Sequence, residues 1–318
     1  MPLSEFSLIY RYFSALGRGP AVDLSVGDDC AILRLAPGER LATSVDTMVA
    51  GVHFPDDMFP EDVGFRAVSV AASDLAAVGA RPLGMTLALT LPEADEFWLH
   101  SFSQGVAAAV SEYELPLVGG DTTRGPEGIT VTAFGSVPAD QALRRDAARL
   151  GDDLWVTGTL GDAALALQHW RETGRIENDM LAARLNRPTP RVAFGLALRG
   201  IAHAAIDVSD GLLADAGHIA RASSLGIELQ ADALPMSDDL AALPSLARQG
   251  LQLAGGDDYE LCFSAPVAKA SQVQSAAEAC DVRVTRIGRV VDSAGIRVLG
   301  PGGQVLSLSE QGYRHFAS

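Results

Sequence analysis

The chain carries a single lysine, Lys269, among its 24 basic residues, so nearly all of its positive charge is arginine. That scarcity excludes a Walker-type phosphate loop, because no GxxxxGK[ST] run is present. Cysteine is equally sparse. Cys30, Cys262 and Cys280 are odd in number and lack CxxC spacing, which argues against both a disulfide framework and a zinc site and leaves them as small apolar residues. No uninterrupted apolar run reaches bilayer-spanning length, and Met1 to Phe6 has no basic region ahead of an apolar stretch, so a cytoplasmic protein without a membrane partner is expected. The formal net charge of −16 disfavours nucleic acid and anionic membranes as partners. Phosphate ligands are not excluded, but an acidic protein that handles them needs metal ions to offset its own field.

What is present is ample apolar material, 48% over 318 residues, more than one typical core requires. The first half reads as a helix over Ser4–Leu16, a Gly27-Asp28-Asp29 turn into an apolar strand, an extended Leu41–Thr47, and a helix from Pro60 to Gly79 with proline and acids in its first turn. A strand over Met85–Leu91 and a helix over Glu96–Tyr113 follow. A short strand over Leu115–Val118 is expected to break at Gly119-Gly120, with a further strand over Ile129–Val137. Pro138-Ala139-Asp140 is the candidate boundary, giving domains 1–138 and 139–318. The second half continues the alternation with strands at Leu154–Thr157, Ala204–Val208, Val282–Val291 and Ile296–Leu299, and helices from Ala163, around Val192–Arg199 and over Leu212–Ser224. Interleaved helices and strands predict an α+β, mixed α/β, two-domain protein.

Five places repeat one pattern, small or glycine residues around an aspartate at the end of an apolar element: Asp28 with Asp29, Asp46, Asp74, Asp121, and Asp207 with Asp210. Each alone reads as a backbone cap. Together, carboxylates without His or Cys suit a hard, oxygen-preferring cation such as Mg²⁺. Asp74 is the most conspicuous, since its helical neighbours Val70, Ala71, Ala77 and Val78 cannot pair with it. In Asp207-Val208-Ser209-Asp210-Gly211, Asp207 and Ser209 share one face of an extended segment that turns into a helix N-terminus, where backbone N–H groups favour an anion; an N-cap is the simpler reading of Ser209 or Asp210. His53, Arg145 and Tyr313 are open between ligand contact and plain loop, charged-turn or C-terminal roles.

Seven ordered blocks resemble the thiamine-monophosphate kinase family of the aminoimidazole-ribonucleotide-synthetase-like superfamily: Gly27-Asp28-Asp29-Cys30-Ala31, Ser44-Val45-Asp46-Thr47, His53-Phe54, Ser73-Asp74-Leu75-Ala76-Ala77-Val78-Gly79-Ala80, Gly119-Gly120-Asp121-Thr122-Thr123-Arg124, Asp207-Val208-Ser209-Asp210-Gly211-Leu212 and Gly255-Gly256-Asp257-Asp258-Tyr259-Glu260-Leu261. The resemblance implies that superfamily's fold, with an N-terminal ATP- and metal-binding domain whose sheet pairs in a dimer barrel and a C-terminal α/β domain completing the substrate and phosphate site. It implies transfer of the γ-phosphoryl of ATP to thiamine monophosphate by a homodimer using several Mg²⁺ ions. By the same resemblance Asp29, Ser44, Val45, Asp46, Asp74, Asp121, Asp207 and Asp210 are metal ligands. Gly120, Asp121, Arg145 and Ser209 meet ATP, and His53, Asp257 and Tyr313 meet the substrate. Two departures stand out: Asp257 occupies a position where the family has Glu, and Ala71-Ala72 stands where relatives often have Asn-Leu. Alternatives are another ATP-dependent superfamily member, such as aminoimidazole ribonucleotide synthetase, or a non-catalytic nucleotide-binding regulator.

Overall fold

The computed structural model describes residues 5–306, with side chains from Ser7 onward. The chain divides into two compact units: one runs up to Leu75 and again over Ala80–Asp140, and the other comprises Ala76–Gly79 and the chain from Gln141.

The first unit begins with α1 (Glu5–Tyr12), followed by the short antiparallel pair β1 (Val22–Leu24) and β2 (Ile32–Leu33). Then come β3 (Glu39–Val49), α2 (Pro60–Val78), β4 (Arg81–Leu91), α3 (Glu96–Tyr113), β5 (Leu117–Arg124) and β6 (Gly128–Pro138). The sheet order is β3-β6-β4-β5, antiparallel except for the β4/β5 pair that α3 connects. Pro60 opens α2 with Glu61 and Asp62 in its first turn, complementing the helix dipole. Gly79 at φ +67° ends it, with Gly79 N–H donating to the Ala76 carbonyl at 3.0 Å and Ala80 N–H to the Leu75 carbonyl at 2.8 Å, a Schellman motif. The Asp95 carboxylate caps α3 by accepting from Trp98 N–H at 2.7 Å. Helices α2 and α3 meet backbone to backbone. A Cβ at Gly105 would stand 1.8 Å from the Glu61 carbonyl oxygen, and one at Gly64 would stand 2.2 Å from that of Phe102.

One expectation fails instructively. The Gly119-Gly120-Asp121-Thr122-Thr123-Arg124 block is strand, not a loop beyond a short strand, and it pairs in parallel with β4 as far as Arg124. Glycine is needed there because the Gly120 backbone lies at φ +157° and a Cβ would come within 2.0 Å of the Leu87 carbonyl oxygen. The glycines permit close approach inside a ladder instead of ending it.

The second unit comprises β7 (Asp153–Thr157), α4 (Asp162–Thr173), α5 (Asp179–Asn186), α6 (Val192–Ala197), β8 (Ala204–Val208), α7 (Leu212–Ala222), β9 (Gly226–Gln230), α8 (Asp238–Ala241), α9 (Ser245–Ala254), β10 (Glu260–Ala265), α10 (Ala270–Ala279), β11 (Val284–Val291) and β12 (Gly295–Leu299). Its mixed six-stranded sheet has the order β12-β9-β11-β7-β10-β8. Strands β7, β8 and β10 are buried at every position, so that Asp153, Asp207 and Glu260 are enclosed along with their apolar neighbours. Val156, Ile206, Leu212, Ile219, Ile227 and Cys262 share one core, and Trp155, Phe194, Leu261 and Phe263 another. Cys262 is thus the buried apolar residue expected, whereas Cys30 is exposed. No described helix is long and apolar enough to cross a membrane.

Candidate active site

In β3 the side chains alternate: Ser44, Asp46 and Met48 turn inward, while Leu41, Thr43, Val45, Thr47 and Val49 are exposed. This alternation brings Ser44 to α2, where its hydroxyl donates a short hydrogen bond to Asp74 Oδ2. Asp74 has no possible partner among its own helical neighbours, and its hydrogen-bond donor comes from β3. Because Ser44 gives its proton to Asp74, its lone pairs are oriented away from that carboxylate, as a ligating hydroxyl requires. The Val45 side chain is on the opposite face, so any metal contact of this residue is by its main chain.

The sheet register separates two of the carboxylates. Asp46 lies in a cross-strand row with Val131, Leu87 and Gly120, whereas Asp121 lies in the next row with Thr47, Thr130 and Ala88. Adjacent rows project to opposite faces. Asp121 instead shares a cavity of about 1250 Å³ with Asp28 and Asp29. Gly119, Gly120 and Thr122 line one part of it, and Tyr10, Phe13, Leu33, Leu35, Leu41 and Phe134 form apolar walls. Asp28 Oδ1 accepts Asp29 N–H at 2.7 Å and tightens that turn. A flat apolar wall with exposed backbone and carboxylates beside it suits a nucleotide, whose base is apolar on its faces and whose phosphates arrive with cations. Among the described residues, no three His, Cys, Asp or Glu side chains form a ready cage for a metal. The donors nevertheless fit Mg²⁺ chemically, being carboxylates and a hydroxyl, and Mg²⁺ usually completes its shell with water and phosphate oxygens.

His53 lies in the loop after β3, where its Nδ1 accepts Val49 N–H at 3.1 Å, which places the ring proton on Nε2. This loop is acidic: burial, and then the nearby Asp56, push the Glu127 carboxyl above its usual range.

In the second unit, Asp207 is the penultimate residue of β8, and Ser209, Asp210 and Gly211 turn into α7. Part of the backbone expected to favour an anion here is already engaged. A single oxygen, Oδ2 of Asp215, accepts the N–H groups of Ser209 at 3.0 Å, Asp210 at 3.1 Å and Gly211 at 3.1 Å. Those three donors, just ahead of α7, are therefore occupied by the protein itself. The N-cap is Gly211, so neither Ser209 nor Asp210 caps the helix. Burial, then Asp207 and Asp210, push the Asp215 carboxyl up to about 7, against the pull of the backbone donors. Arg145 is exposed in a short 3-10 turn whose carbonyl accepts the Ser223 hydroxyl at 3.0 Å. It lies near α7: burial first, then Arg221 and Arg145, lower the His218 pKa, while Asp210 opposes them. Its neighbour Arg144 is already held by Asp146. Asp257 N–H donates to the Ser209 carbonyl at 2.9 Å, so the two residues expected to meet substrate and ATP are joined by backbone. Tyr313 lies outside the described residues.

A further polar cluster escaped the sequence reading. Glu260, fully buried, accepts both arms of Arg191 at 2.7 Å each, the Thr157 hydroxyl at 2.6 Å and an ion pair from Arg184 at 3.1 Å. Burial alone would raise the Glu260 pKa, but Arg191, Arg184 and Thr157 hold it below the usual range. Burial drives the Asp258 carboxyl well above its usual range despite Arg184. Three acids, Asp162, Asp258 and Glu260, thus face two guanidinium groups within one buried cluster. Asp258 and Glu260 were in a quoted block, but their arginines sit in a stretch without a motif.

With this geometry in place, the matches to known proteins become specific. Residues 27–137 fit the AIR synthase related protein N-terminal domain, and residues 149–300 fit its C-terminal domain. The two units therefore define a two-domain AIR-synthase-type protein. At full length the chain is 44% identical to the thiamine-monophosphate kinase of Salmonella typhimurium, covering 100% of both chains. It is similar to the crystal structure of thiamine-monophosphate kinase from Stenotrophomonas maltophilia at 47% identity and TM-score 0.87, over 96% of this chain and 99% of that one. It also matches AaThiL complexed with AMPPCP and TMP at 32% identity and TM-score 0.78, over 89% of each chain. The chain belongs to the thiamine-monophosphate kinase family.

Proposed function

We propose that this protein transfers the γ-phosphoryl group of ATP to thiamine monophosphate, giving thiamine diphosphate and ADP. The observation that carries this reading is a nucleotide-sized cavity bearing Asp29, Gly120 and Asp121 in a chain whose full-length relatives are thiamine-monophosphate kinases, one of them complexed with AMPPCP and TMP. Phosphoryl transfer through a loose transition state needs positioning and charge neutralisation more than a covalent nucleophile. The acceptor is itself a phosphate, so a strong general base is unnecessary, in keeping with a site built from carboxylates, hydroxyls and arginine.

Asp29, Ser44, Asp46, Asp74 and Asp121 of the first unit, with the Val45 main chain, and Asp207 and Asp210 of the second, are the residues that would hold Mg²⁺. When bound, these ions would neutralise charge on the transferring phosphoryl group. Gly120, Asp121, Arg145 and Ser209 would meet ATP. Arg145 is suited to phosphate because its exposed guanidinium can present two parallel donors. His53 and Asp257 would meet thiamine monophosphate, His53 by Nε2–H. Tyr313 is assigned there on family resemblance alone.

The test is ADP release with thiamine monophosphate and with thiamine as acceptors. At saturating ATP and Mg²⁺ the phosphorylated acceptor should have a kcat/KM on the order of a hundredfold higher or more, because its phosphate is a handle that the transition state uses. Comparable rates with both acceptors would overturn the assignment.

We also propose a homodimer in which the β3 edges approach one another, in a cytoplasmic protein. The eleven-residue β3 is an edge strand, and its outward face exposes Leu41, Val45 and Val49, a combination that monomeric proteins avoid. Val45→Lys should shift the mass measured by light scattering from twice that of the chain to that of one chain. An unchanged mass would remove β3 from the interface.

A further inference from the structure

The turn between Gly256 and Tyr259 contains two residues in the left-handed region, Asp257 at φ +68° and Tyr259 at φ +50°. Residues with side chains persist there only where the surroundings impose the conformation. The imposing groups lie on both sides. Toward β8, Asp257 N–H donates to the Ser209 carbonyl at 2.9 Å and Tyr259 N–H to the Val208 carbonyl at 2.8 Å. Toward the interior, Asp258 and Glu260 are 1% and 0% exposed. Asp258 Oδ2 accepts the Gly161 N–H at 2.8 Å, and its other oxygen faces Arg184 at 3.9 Å. Glu260 takes the bidentate grip of Arg191 and the contact of Arg184. Two alternate residues of the turn, Asp258 and Glu260, thus go down into a buried ionic bed, while Asp257, just ahead of them, lies in the part of the turn tied to β8.

We infer that Arg191 and Arg184 are positioning residues for the phosphoryl acceptor: by gripping Glu260 and Asp258 beneath the turn, they fix the left-handed Asp257 carboxylate where the acceptor binds. This rests on the proposed contact of Asp257 with the acceptor. A carboxylate repels phosphate, so Asp257 meets a cationic or N–H-bearing part of the acceptor, and its displacement weakens acceptor binding specifically.

The experiment compares Arg191→Met, Arg191→Lys, Asp257→Ala and the Arg191→Met/Asp257→Ala double variant. Each is measured for KM of thiamine monophosphate, KM of ATP and kcat, with folding verified by circular dichroism. Arg191→Met should raise the acceptor KM roughly tenfold and alter the ATP KM less than about twofold, a split that a general loss of folded protein would not produce. Arg191→Lys keeps the charge and one donor, and should recover the acceptor KM to within about threefold of wild type. In the Asp257→Ala background, Arg191→Met should change the acceptor KM less than about twofold, because both act through one contact. Equal rises in both KM values, no rise in either, or full additivity in the double variant would overturn the inference. If Arg191→Met does not fold, the Arg191→Lys variant alone decides: an acceptor KM rise of at least twofold with an unchanged ATP KM supports the proposal, and no such split overturns it. Asp257→Ala with a normal acceptor KM would instead overturn the underlying contact, and the positioning role with it.

Discussion

Asp74→Asn is expected to keep the fold and lose at least about a hundredfold of Mg²⁺-dependent ADP release with thiamine monophosphate, a loss of roughly 2.7 kcal/mol in transition-state stabilisation. The substitution is nearly isosteric, and the Asn carbonyl can still accept the Ser44 hydroxyl that holds Asp74 from β3. What disappears is the negative charge, while the strand-to-helix contact stays. Asp74 is partly exposed, so neutralising it does not strand a buried partner, and the melting temperature should change little. The measurement is initial ADP release over a range of Mg²⁺ concentrations, paired with a thermal melt. Near-normal turnover with an intact melt would remove Asp74 from the metal-binding set. A collapsed melt would show that the charge serves the α2 packing instead.

The helix of Asp74 illustrates what the sequence made legible. Its start at Pro60, its stop at Gly79 and its missing partner could be read from residue types alone, because caps and helical spacing are local properties. Ser44 as the partner could not, since the link between β3 and α2 depends on the tertiary approach of residues thirty positions apart. The α3 limits, Glu96 and Tyr113, were read for the same local reason. The Gly119-Gly120 segment was misread because glycine usually signals a turn, whereas here it lets β5 approach the Leu87 carbonyl within a parallel ladder. The chains of α5 and α9 went unassigned, since amphipathic segments between punctuating glycines and prolines carry no motif.

The chemistry was legible in the same uneven way. Carboxylates at strand ends announced themselves by their small-residue surroundings. Asp215 did not, although it lies in the first turn of α7 and takes up the three backbone donors just ahead of that helix. Helix N-termini favour any anion, including a carboxylate of the helix's own first turn. Asp258 and Glu260 were visible as letters in a block, but their role depends on Arg184 and Arg191, roughly seventy residues earlier, and opposite charges at that separation leave no pattern to detect.

The largest stability effect is expected from Gly105→Ala. On propensity alone, alanine in the middle of an eighteen-residue helix should gain about 1 kcal/mol over glycine. The position reverses that sign. A Cβ at Gly105 would lie 1.8 Å from the Glu61 carbonyl oxygen and 2.9 Å from the Phe65 nitrogen, so the atoms it meets are the main chain of α2 and not the end of a flexible side chain. Relief requires α2 and α3 to separate, loosening the packing of the buried Phe102 and Val106 around the contact. Such overpacking costs about 3 kcal/mol or more, which exceeds the propensity gain and leaves a net loss of roughly 2 kcal/mol or more. The apparent melting temperature should therefore fall by about 4–8 °C. Gly250→Ala provides the opposing control. Gly250 lies inside α9 and a Cβ there would meet nothing within 4 Å, so the same substitution should be neutral to stabilising by up to about 1 kcal/mol. Thermal melts of the two variants side by side decide the matter: if both shift in the same direction, close contact between α2 and α3 does not govern the cost. Because α2 also carries Asp74, a separation large enough to lower the melt should displace that carboxylate from Ser44, and Gly105→Ala should lose activity even at temperatures where it remains folded.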